Sequence, residues 1–524
     1  MKERALREIA SHILEGKVKT KEQLTKLKND ITRRYKLDSF PSNSEILKIL
    51  PEERREELLN ILQKKPVRTI SGIAIVAVMT MPYPCPHGKC IYCPGGVEVN
   101  VPQSYTGKEP ATMRAIEYNF DPYLQTKKRI EQLEEIGHHT DKVEIILMGG
   151  TFTTLPIDYQ EWFVKRVLNA LSDKDTLTLD EAIENAEHCN HRPVGITFET
   201  RPDYCKEEQI NRLLSYGATR VELGVQNVFD FIYERIKRGH RVKDVVEATE
   251  MLKNAALKVG YHIMPGLPGS NPERDIKCAK IIFRDERFKP DMVKIYPALV
   301  IKGTELYRMW KNGEYEPYST EEALEVIVKI KELMPKWVRT LRIQRDVPSN
   351  LIEAGVKRSD LGALVYERVK GRCRCIRCRE VGHRIYKDGI KIEEKNIDTV
   401  VEKYRASGAT EFFISVEDLK NDLLIGFIRL RFPEKSIREE IDNSTALVRE
   451  LHVYGPLVPL GEEPKLFAWQ HKGIGKRLLK EAEEIAMSHG KEKMVIISGI
   501  GVRDYYRKFG YEREGVYMAK KLSL

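Results

Sequence analysis

The sequence predicts an α/β protein: a partial barrel of parallel strands joined to a compact α+β domain, with a helical segment ahead of both. Three observations predict it. Between about 69 and 345, short β-branched apolar runs alternate with helical stretches, the pattern of a parallel sheet with crossover helices. From about 396, several strands precede one strongly amphipathic helix. In residues 1–68, Ile9, Ile13, Leu14, Leu24, Leu27 and Ile31 recur at helical spacing. No internal repeat or low-complexity tract interrupts this order.

Composition narrows the class. The chain has 524 residues, 41% of them apolar, and a net charge of +10. That length suggests two to four domains with real cores, and the charge favours a polyanionic partner. Residues 1–68 hold 17 Lys/Arg against 11 Asp/Glu. Lys17, Lys19, Lys21, Lys26, Lys28, Arg33, Arg34 and Lys36 make either a solvated helix face or a grip on an RNA backbone. The longest apolar run, 73–81, is too short to span a bilayer. The charged start, Met1-Lys2-Glu3-Arg4, lacks a secretory core. Six of the nine cysteines fall in two tight triplets, which is ligand spacing and implies a reducing, cytoplasmic setting with no membrane.

The barrel elements follow in order. Candidate strands are 73–79, 143–148, 194–198, 220–223, 259–264 and 292–295, giving six strand–helix units. Ligands of such barrels sit at the carboxyl ends of the strands. The first strand ends in Cys85-Pro86-His87-Gly88-Lys89-Cys90-Ile91-Tyr92-Cys93-Pro94-Gly95-Gly96. Three thiolates on one loop can hold three irons of a [4Fe–4S] cluster and leave the fourth open. A Zn²⁺ site completed by a further ligand is the alternative. The later strands end in Met148-Gly149-Gly150-Thr151, Phe198-Glu199-Thr200-Arg201, Gly224-Val225-Gln226-Asn227, Pro265-Gly266-Leu267-Pro268-Gly269 and Lys294-Ile295-Tyr296-Pro297. Their small residues let backbone approach a ligand, or simply make turns. Lys294 would point into the barrel mouth.

Residues 346–395 carry the second triplet, Cys373, Cys375 and Cys378, interleaved with Arg372, Arg374, Arg377 and Arg379. Cys-x-Cys-x-x-Cys suits zinc, with His383 a candidate fourth ligand. A second iron–sulfur cluster is the other reading, and the arginines could touch phosphates. In the last domain, Gln470-His471-Lys472-Gly473-Ile474-Gly475-Lys476 opens a helix whose apolar face is Ile474, Leu478, Leu479, Ala482, Ile485 and Ala486. Unpaired N–H groups at such a start bind phosphate. A strand at 494–498 and the run Arg503-Asp504-Tyr505-Tyr506-Arg507-Lys508-Phe509-Gly510-Tyr511 follow.

The first triplet resembles the cluster loop of radical S-adenosylmethionine (SAM) enzymes, although Cys-x4-Cys-x2-Cys is one residue longer than their commonest spacing. Cys93-Pro94-Gly95-Gly96 followed by Gln103-Ser104-Tyr105-Thr106-Gly107 is similar to one family, the catalytic subunit of Elongator. Tyr123-Leu124-Gln125-Thr126, Gln344-Arg345-Asp346 and Arg449-Glu450-Leu451-His452-Val453-Tyr454-Gly455 extend the resemblance over about 70–524. The order strand, Gln-x-x-Gly-x-Gly, helix, strand looks like the GNAT acetyltransferase fold.

The charge pattern and the cysteine spacing give a basic helical tRNA-binding segment (1–68) and a zinc-binding linker (346–395), and the resemblance implies a radical SAM (βα)6 barrel (69–345) and a GNAT domain (396–524). It implies a [4Fe–4S] cluster on Cys85, Cys90 and Cys93, with SAM near Lys89, Gly149, Gly150, Glu199, Arg201 and Gln226. It implies acetyl-CoA on Gln470, His471, Lys472, Gly473, Ile474, Gly475 and Lys476, Lys294 near the substrate, and Tyr505 or Tyr506 beside the thioester. The implied reaction begins when a reduced cluster cleaves SAM to a 5′-deoxyadenosyl radical. That radical takes hydrogen from the acetyl methyl of acetyl-CoA, and the carbon radical attacks C5 of the wobble uridine in a tRNA anticodon loop. Thioester hydrolysis follows. An electron donor is required. Two rivals are a protein lysine acetyltransferase with a structural radical half and a tRNA-binding scaffold with a degenerate CoA pocket. Intact loop cysteines and glycines argue against both.

Overall fold

A computed structural model of the chain describes residues 1–37, 40–62, 72–390, 392–454 and 473–523. Gln470, His471 and Lys472 lie outside the described residues, as do 63–68 of the basic segment. Four helices, Lys2–Leu14, Lys21–Arg34, Asn43–Ile49 and Glu52–Leu62, open the chain. Their apolar faces close on a core of their own that includes Ala5, Ile9, Leu24, Ile31 and Ile46. The Lys48–Glu135 ion pair, 2.7 Å, ties this bundle to the next domain.

The central sheet contains β1 (Ala74–Met79), β2 (Lys142–Met148), β3 (Arg192–Thr200), β4 (Arg220–Gln226), β5 (Lys258–Ile263) and β6 (Met292–Ile295). These are the six expected strands, side by side and all parallel. A ribbon, β7 (Val300–Ile301) with β9 (Ile352–Ala354), flanks a seventh parallel strand, β8 (Arg339–Ile343), which pairs with β6. The expectation of six strands is therefore one short. Arg339-Thr340-Leu341-Arg342-Ile343 alternates charge with apolar residues and lacks the unbroken apolar run that marks a buried parallel strand.

Period-2 alternation divides each strand between two environments. On β2, Val143, Ile145 and Leu147 are buried against the outer helices, whereas Glu144, Ile146 and Met148 face the concave side. The outer helices start at side-chain caps. Ser319 Oγ accepts from Glu322 N, and the Glu322 carboxylate accepts from Ser319 N, closing a capping box on Thr320–Glu332.

The linker is more regular than the sequence suggests, with helices Leu361–Arg368, Ile376–Arg379 and Val381–Asp388. The last domain is a sheet of β10 (Ile397–Ala406), β11 (Ala409–Asp418), β12 (Leu423–Phe432), β13 (Thr445–Val453), β14 (Lys493–Ile496), β15 (Glu512–Glu514) and β16 (Tyr517–Lys521). Its order is β10-β11-β12-β13-β14-β16-β15, antiparallel except for β13 with β14. One face, with Phe412, Ile414, Ile428 and Leu430, packs on the helix Ile474–Ser488. The other face, with Phe413, Phe427, Leu447 and Val495, joins the core of the barrel.

Buried charge fixes that interface. Arg449 is the extra residue of a bulge in β13, which swings its side chain across to the barrel. It donates to Asp291 at 2.6 and 2.7 Å and to Glu411 at 3.0 Å. Lys253, Arg429 and Arg431 complete the set. Breaking one such pair would strand a buried charge at a cost of about 3–5 kcal/mol. Among the described residues no helix is long and apolar enough to cross a membrane.

Candidate active site

The loop after β1 folds back on the segment 236–240. Ile91 N donates to Ile236 O at 3.2 Å, and Leu306 N donates to Ile91 O at 2.8 Å. Cys85 is half-buried; Cys90 and Cys93 are buried. Burial pushes the Cys85 and Cys93 thiols up, so a metal must displace their protons. Their surroundings are rich in polar groups. Gln103 Nε2 donates to Cys93 Sγ at 3.5 Å and Ser104 Oγ lies 3.3 Å from it. Thr151 Oγ1 lies 3.6 Å from Cys85 Sγ, and His87 Nε2 lies 3.3 Å from Cys90 Sγ.

The spacing of the sulfurs separates the two triplets. Two thiolates on one tetrahedral zinc sit about 3.8 Å apart, given Zn–S bonds near 2.3 Å. The Sγ atoms of Cys373, Cys375 and Cys378 all lie within 4.8 Å of one another, as one ion requires. Those of Cys85, Cys90 and Cys93 do not gather within that limit. Three thiols on one loop, with Cys85 on the wall of a cavity, fit a multi-iron cluster.

That cavity, about 580 Å³, is lined by Cys85, Gly150, Glu199, Arg201, Gln226 and Arg238 among others. At Gly149 (φ 141°) a Cβ would collide with Thr80 Oγ1, so the turn after β2 requires glycine. Gln226 adopts left-handed backbone (φ 67°) at the end of β4, and its Oε1 is buried without a partner. This is strain held at a ligand-facing position. Glu199 accepts from Lys294 Nζ at 3.0 Å and from Tyr105 Oη at 3.2 Å.

Arg201 is committed elsewhere. Its guanidinium makes two bonds to Asp203, 2.7 and 3.0 Å, and Nη1 lies 2.9 Å from His87. It positions the loop through His87 instead of offering a free fork to a carboxylate. Lys89 pairs with Glu98 at 2.9 Å on the surface and is not part of the cavity lining.

Deeper in the barrel, Lys294 is 8% exposed and sits between Glu199 and Glu222. Burial alone would lower its pKa, but the Glu222 carboxylate foremost raises it, so the ammonium stays charged. His262 Nε2 lies 2.7 Å from Glu222 Oε2. Glu199, Glu222 and His262 are close enough to hold a metal, but the Lys294 ammonium already supplies the cation there. Glu222 and His262 escape motif reading, and Tyr105, although part of the Gln103–Gly107 motif, is given no role by it. The available signal is a charge inside a buried strand, as in Arg220-Val221-Glu222-Leu223.

A second cavity, about 550 Å³, begins where the first ends. The two share Ile75, Ala77, Met148, Glu222, Tyr296 and Arg342 as lining. It runs to Leu451, His452, Ile497, Gly499 and Tyr506 of the last domain. There β13 pairs with β14 only over Thr445–Val448, so the later part of β13 diverges and opens a wedge. Tyr506 is buried at that end; Tyr505 is half-buried and edge-on to it. Gly473 (φ 75°) caps the helix Ile474–Ser488, and Ile474 packs in the core. A Cβ on Gly475 would collide with Tyr505 Oη. Lys476 is exposed.

At the second triplet, Lys331 Nζ donates to Cys375 Sγ at 3.0 Å. Burial raises the Cys375 pKa, but the Cys373 and Cys378 thiols and the Lys331 ammonium outweigh it, leaving a thiolate. His383 does not join this group. Its Nε2 is buried without a hydrogen bond, 3.8 Å from Glu380, and the ring faces the wall between this site and the second cavity. On the helix Val381–Asp388 the ring lies beside Glu380, outside the group of three sulfurs.

Comparison with known proteins agrees with this architecture. Residues 2–70 match the ELP3 N-terminal domain, 80–279 the Radical SAM superfamily, 290–371 the Radical SAM C-terminal domain and 386–511 the Acetyltransferase (GNAT) family. A tRNA uridine(34) acetyltransferase of Methanocaldococcus infernus is 56% identical over 100% of both chains. One from Methanocaldococcus jannaschii is 57% identical over 97% of this chain and 95% of its own. Elongator complex protein 3 of Saccharomyces cerevisiae is 44% identical over 94% and 90%. The solved structure of the archaeal Methanocaldococcus infernus Elp3 with an N-terminal deletion superposes at TM-score 0.77, with 53% identity, covering 87% of this chain and 100% of that one. The chain is a radical SAM half-barrel fused to a GNAT domain, and it belongs to the family of Elongator complex protein 3 and the tRNA uridine(34) acetyltransferases.

Proposed function

We propose that this chain modifies C5 of uridine 34 in tRNA, in the cytoplasm, with a group drawn from acetyl-CoA, using SAM and a [4Fe–4S] cluster held by Cys85, Cys90 and Cys93. The observation that carries this reading is the pair of adjoining cavities. One opens on the cysteine loop, the other on Tyr506, and both share the wall formed by Glu222, Tyr296 and Arg342. A protein lysine acetyltransferase needs no such passage into the barrel.

When bound, the reduced cluster and SAM supply hydrogen-atom abstraction, and an external electron donor supplies the reducing electron. The chain's own residues supply position and dryness. Gly149 and Gly150 admit a ligand close to backbone, and Gln226 offers an unpaired acceptor. Lys294 lies between Glu199 and Glu222 and lines the second cavity, where its ammonium can donate to an acetyl oxygen or a uracil carbonyl. Tyr505 and Tyr506 stand where the last domain meets the second cavity. The start of the helix Ile474–Ser488, with Gly473 and Gly475, receives the CoA pyrophosphate. Cys373, Cys375 and Cys378 hold zinc as a staple between barrel and linker. The exposed Lys19, Lys26, Arg33 and Lys36 grip tRNA; Lys28, buried and bonded to Asn43 Oδ1 at 2.8 Å, does not. The four units 1–68, 69–345, 346–395 and 396–524 divide these tasks.

The test is incubation of tRNA with SAM, reductant and acetyl-CoA deuterated on its methyl group, followed by nucleoside mass spectrometry. A carboxymethyl-type uridine at position 34 and deuterium in 5′-deoxyadenosine are expected. Modified tRNA with unlabelled deoxyadenosine would sink the joint reaction.

A further inference from the structure

Arg238 has no place in the reading above, and its surroundings give it one. It is 8% exposed, at the back of the cysteine loop. Nη2 donates to Gly224 O at 2.6 Å, and Nη1 donates to Cys90 Sγ at 3.5 Å. Nε is buried without a partner. Among the described residues no carboxylate lies within 4.0 Å of this guanidinium, whereas Arg201 nearby is neutralised by Asp203. A buried cation without a counter-anion is costly. The anionic partner it contacts is the Cys90 sulfur, with Asp203 acting at longer range.

Two glycines clear the space. A Cβ on Gly224 would collide with Arg238 Nη2, and one on Gly239 (φ 82°) would meet His87 Cβ at 2.8 Å. The backbone bond from Ile91 N to Ile236 O sets the distance between this shelf and the loop. The other groups around the sulfurs, Gln103, Ser104 and Thr151, are neutral, and His87 is engaged by the Arg201 guanidinium at 2.9 Å. Arg238 is the charged donor of the group.

We propose that Arg238 is a positioning residue that sets the reduction potential of the cluster, raising it by a charge-assisted N–H···S bond to Cys90. A [4Fe–4S]²⁺ core with three thiolates carries one net negative charge, and reduction adds a second. A fixed cation beside one thiolate therefore favours the reduced state more than the oxidised one. Net charge and hydrogen bonds to the sulfurs are established determinants of such potentials.

The inference rests on the cluster assignment above, and its test separates the two. The full-length protein is reconstituted anaerobically, iron and sulfide are counted, and the midpoint is measured by spectroelectrochemistry for wild type, Arg238→Lys and Arg238→Gln. Four irons with midpoints falling in the order wild type, Lys, Gln are expected. Equal midpoints at equal iron content overturn the role of Arg238 and leave the cluster standing. A wild type without four irons overturns the cluster and this inference with it. Should the Gln variant fail to hold iron, the Lys variant decides. Its point-charge ammonium does not reproduce the planar fork that spans Gly224 O and Cys90 Sγ, so its midpoint should fall below that of the wild type; an unchanged value overturns the proposal.

Discussion

The two cysteine triplets share a residue type and nearly a spacing, yet they occupy opposite kinds of environment. Cys85 stands on the wall of a cavity while Cys90 and Cys93 are buried on the same loop, with neutral donors and one buried guanidinium behind them. Cys373, Cys375 and Cys378 converge on a point, with the buried Lys331 ammonium bonded to the central sulfur. The first arrangement leaves an open side for a ligand. The second closes on itself and links β8, through Thr340, to the linker helices. Function here follows from what the sulfurs face, and spacing alone does not decide it.

The sharpest way to break this contrast is Cys85→Ala. Iron binding and 5′-deoxyadenosine formation should be lost altogether, while zinc content is retained; a variant with full iron and full SAM cleavage would erase the distinction. The two buried lysines give the next comparison. Lys294→Ala should lower tRNA modification about a hundredfold with little change in tRNA affinity, because it removes the cation between Glu199 and Glu222. Equal losses in modification and tRNA binding would assign Lys294 a purely structural part.

At the closed triplet the effect should appear in stability. Cys375→Ala removes the central thiol of the proposed zinc site and the sulfur partner of Lys331, leaving the ammonium with Thr340 Oγ1 and the Tyr366 ring, at a cost of about 3–5 kcal/mol. Thermal denaturation should register it while the iron spectrum is unchanged. The smallest effect concerns pH. His240 is 2% exposed, and burial together with Arg238 and Arg201 holds its pKa well below the usual 6.5. Below that value the unfolded chain binds a proton that the folded chain refuses. Stability of the metal-free protein should therefore fall as pH drops through the ordinary histidine range, by at most about 1.4 kcal/mol per unit. His240→Phe should flatten that slope, and an unaltered slope would place the acid sensitivity elsewhere.

Much of the chemistry is legible in the chain itself. Cysteines three and five residues apart must share a loop, and apolar β-branched runs must be buried strands. Gly473-Ile474-Gly475 before an amphipathic pattern must open a helix. Each is a relation among near neighbours, governed by backbone geometry and period. The pairings that make the site are of another kind. Lys294 meets Glu199 across 95 residues, Arg238 meets Cys90 across 148, and Arg449 meets Asp291 across 158. They depend on strand register, on the bulge at Arg449 and on where the last sheet docks. β8 and the true surroundings of His383 were hidden for the same reason: a charged strand and a lone histidine carry no local period that says what they face. The sequence determined which residues could do the chemistry. The tertiary structure decided which of them meet, because ion pairing and cavity shape are properties of distances that the order of residues does not contain.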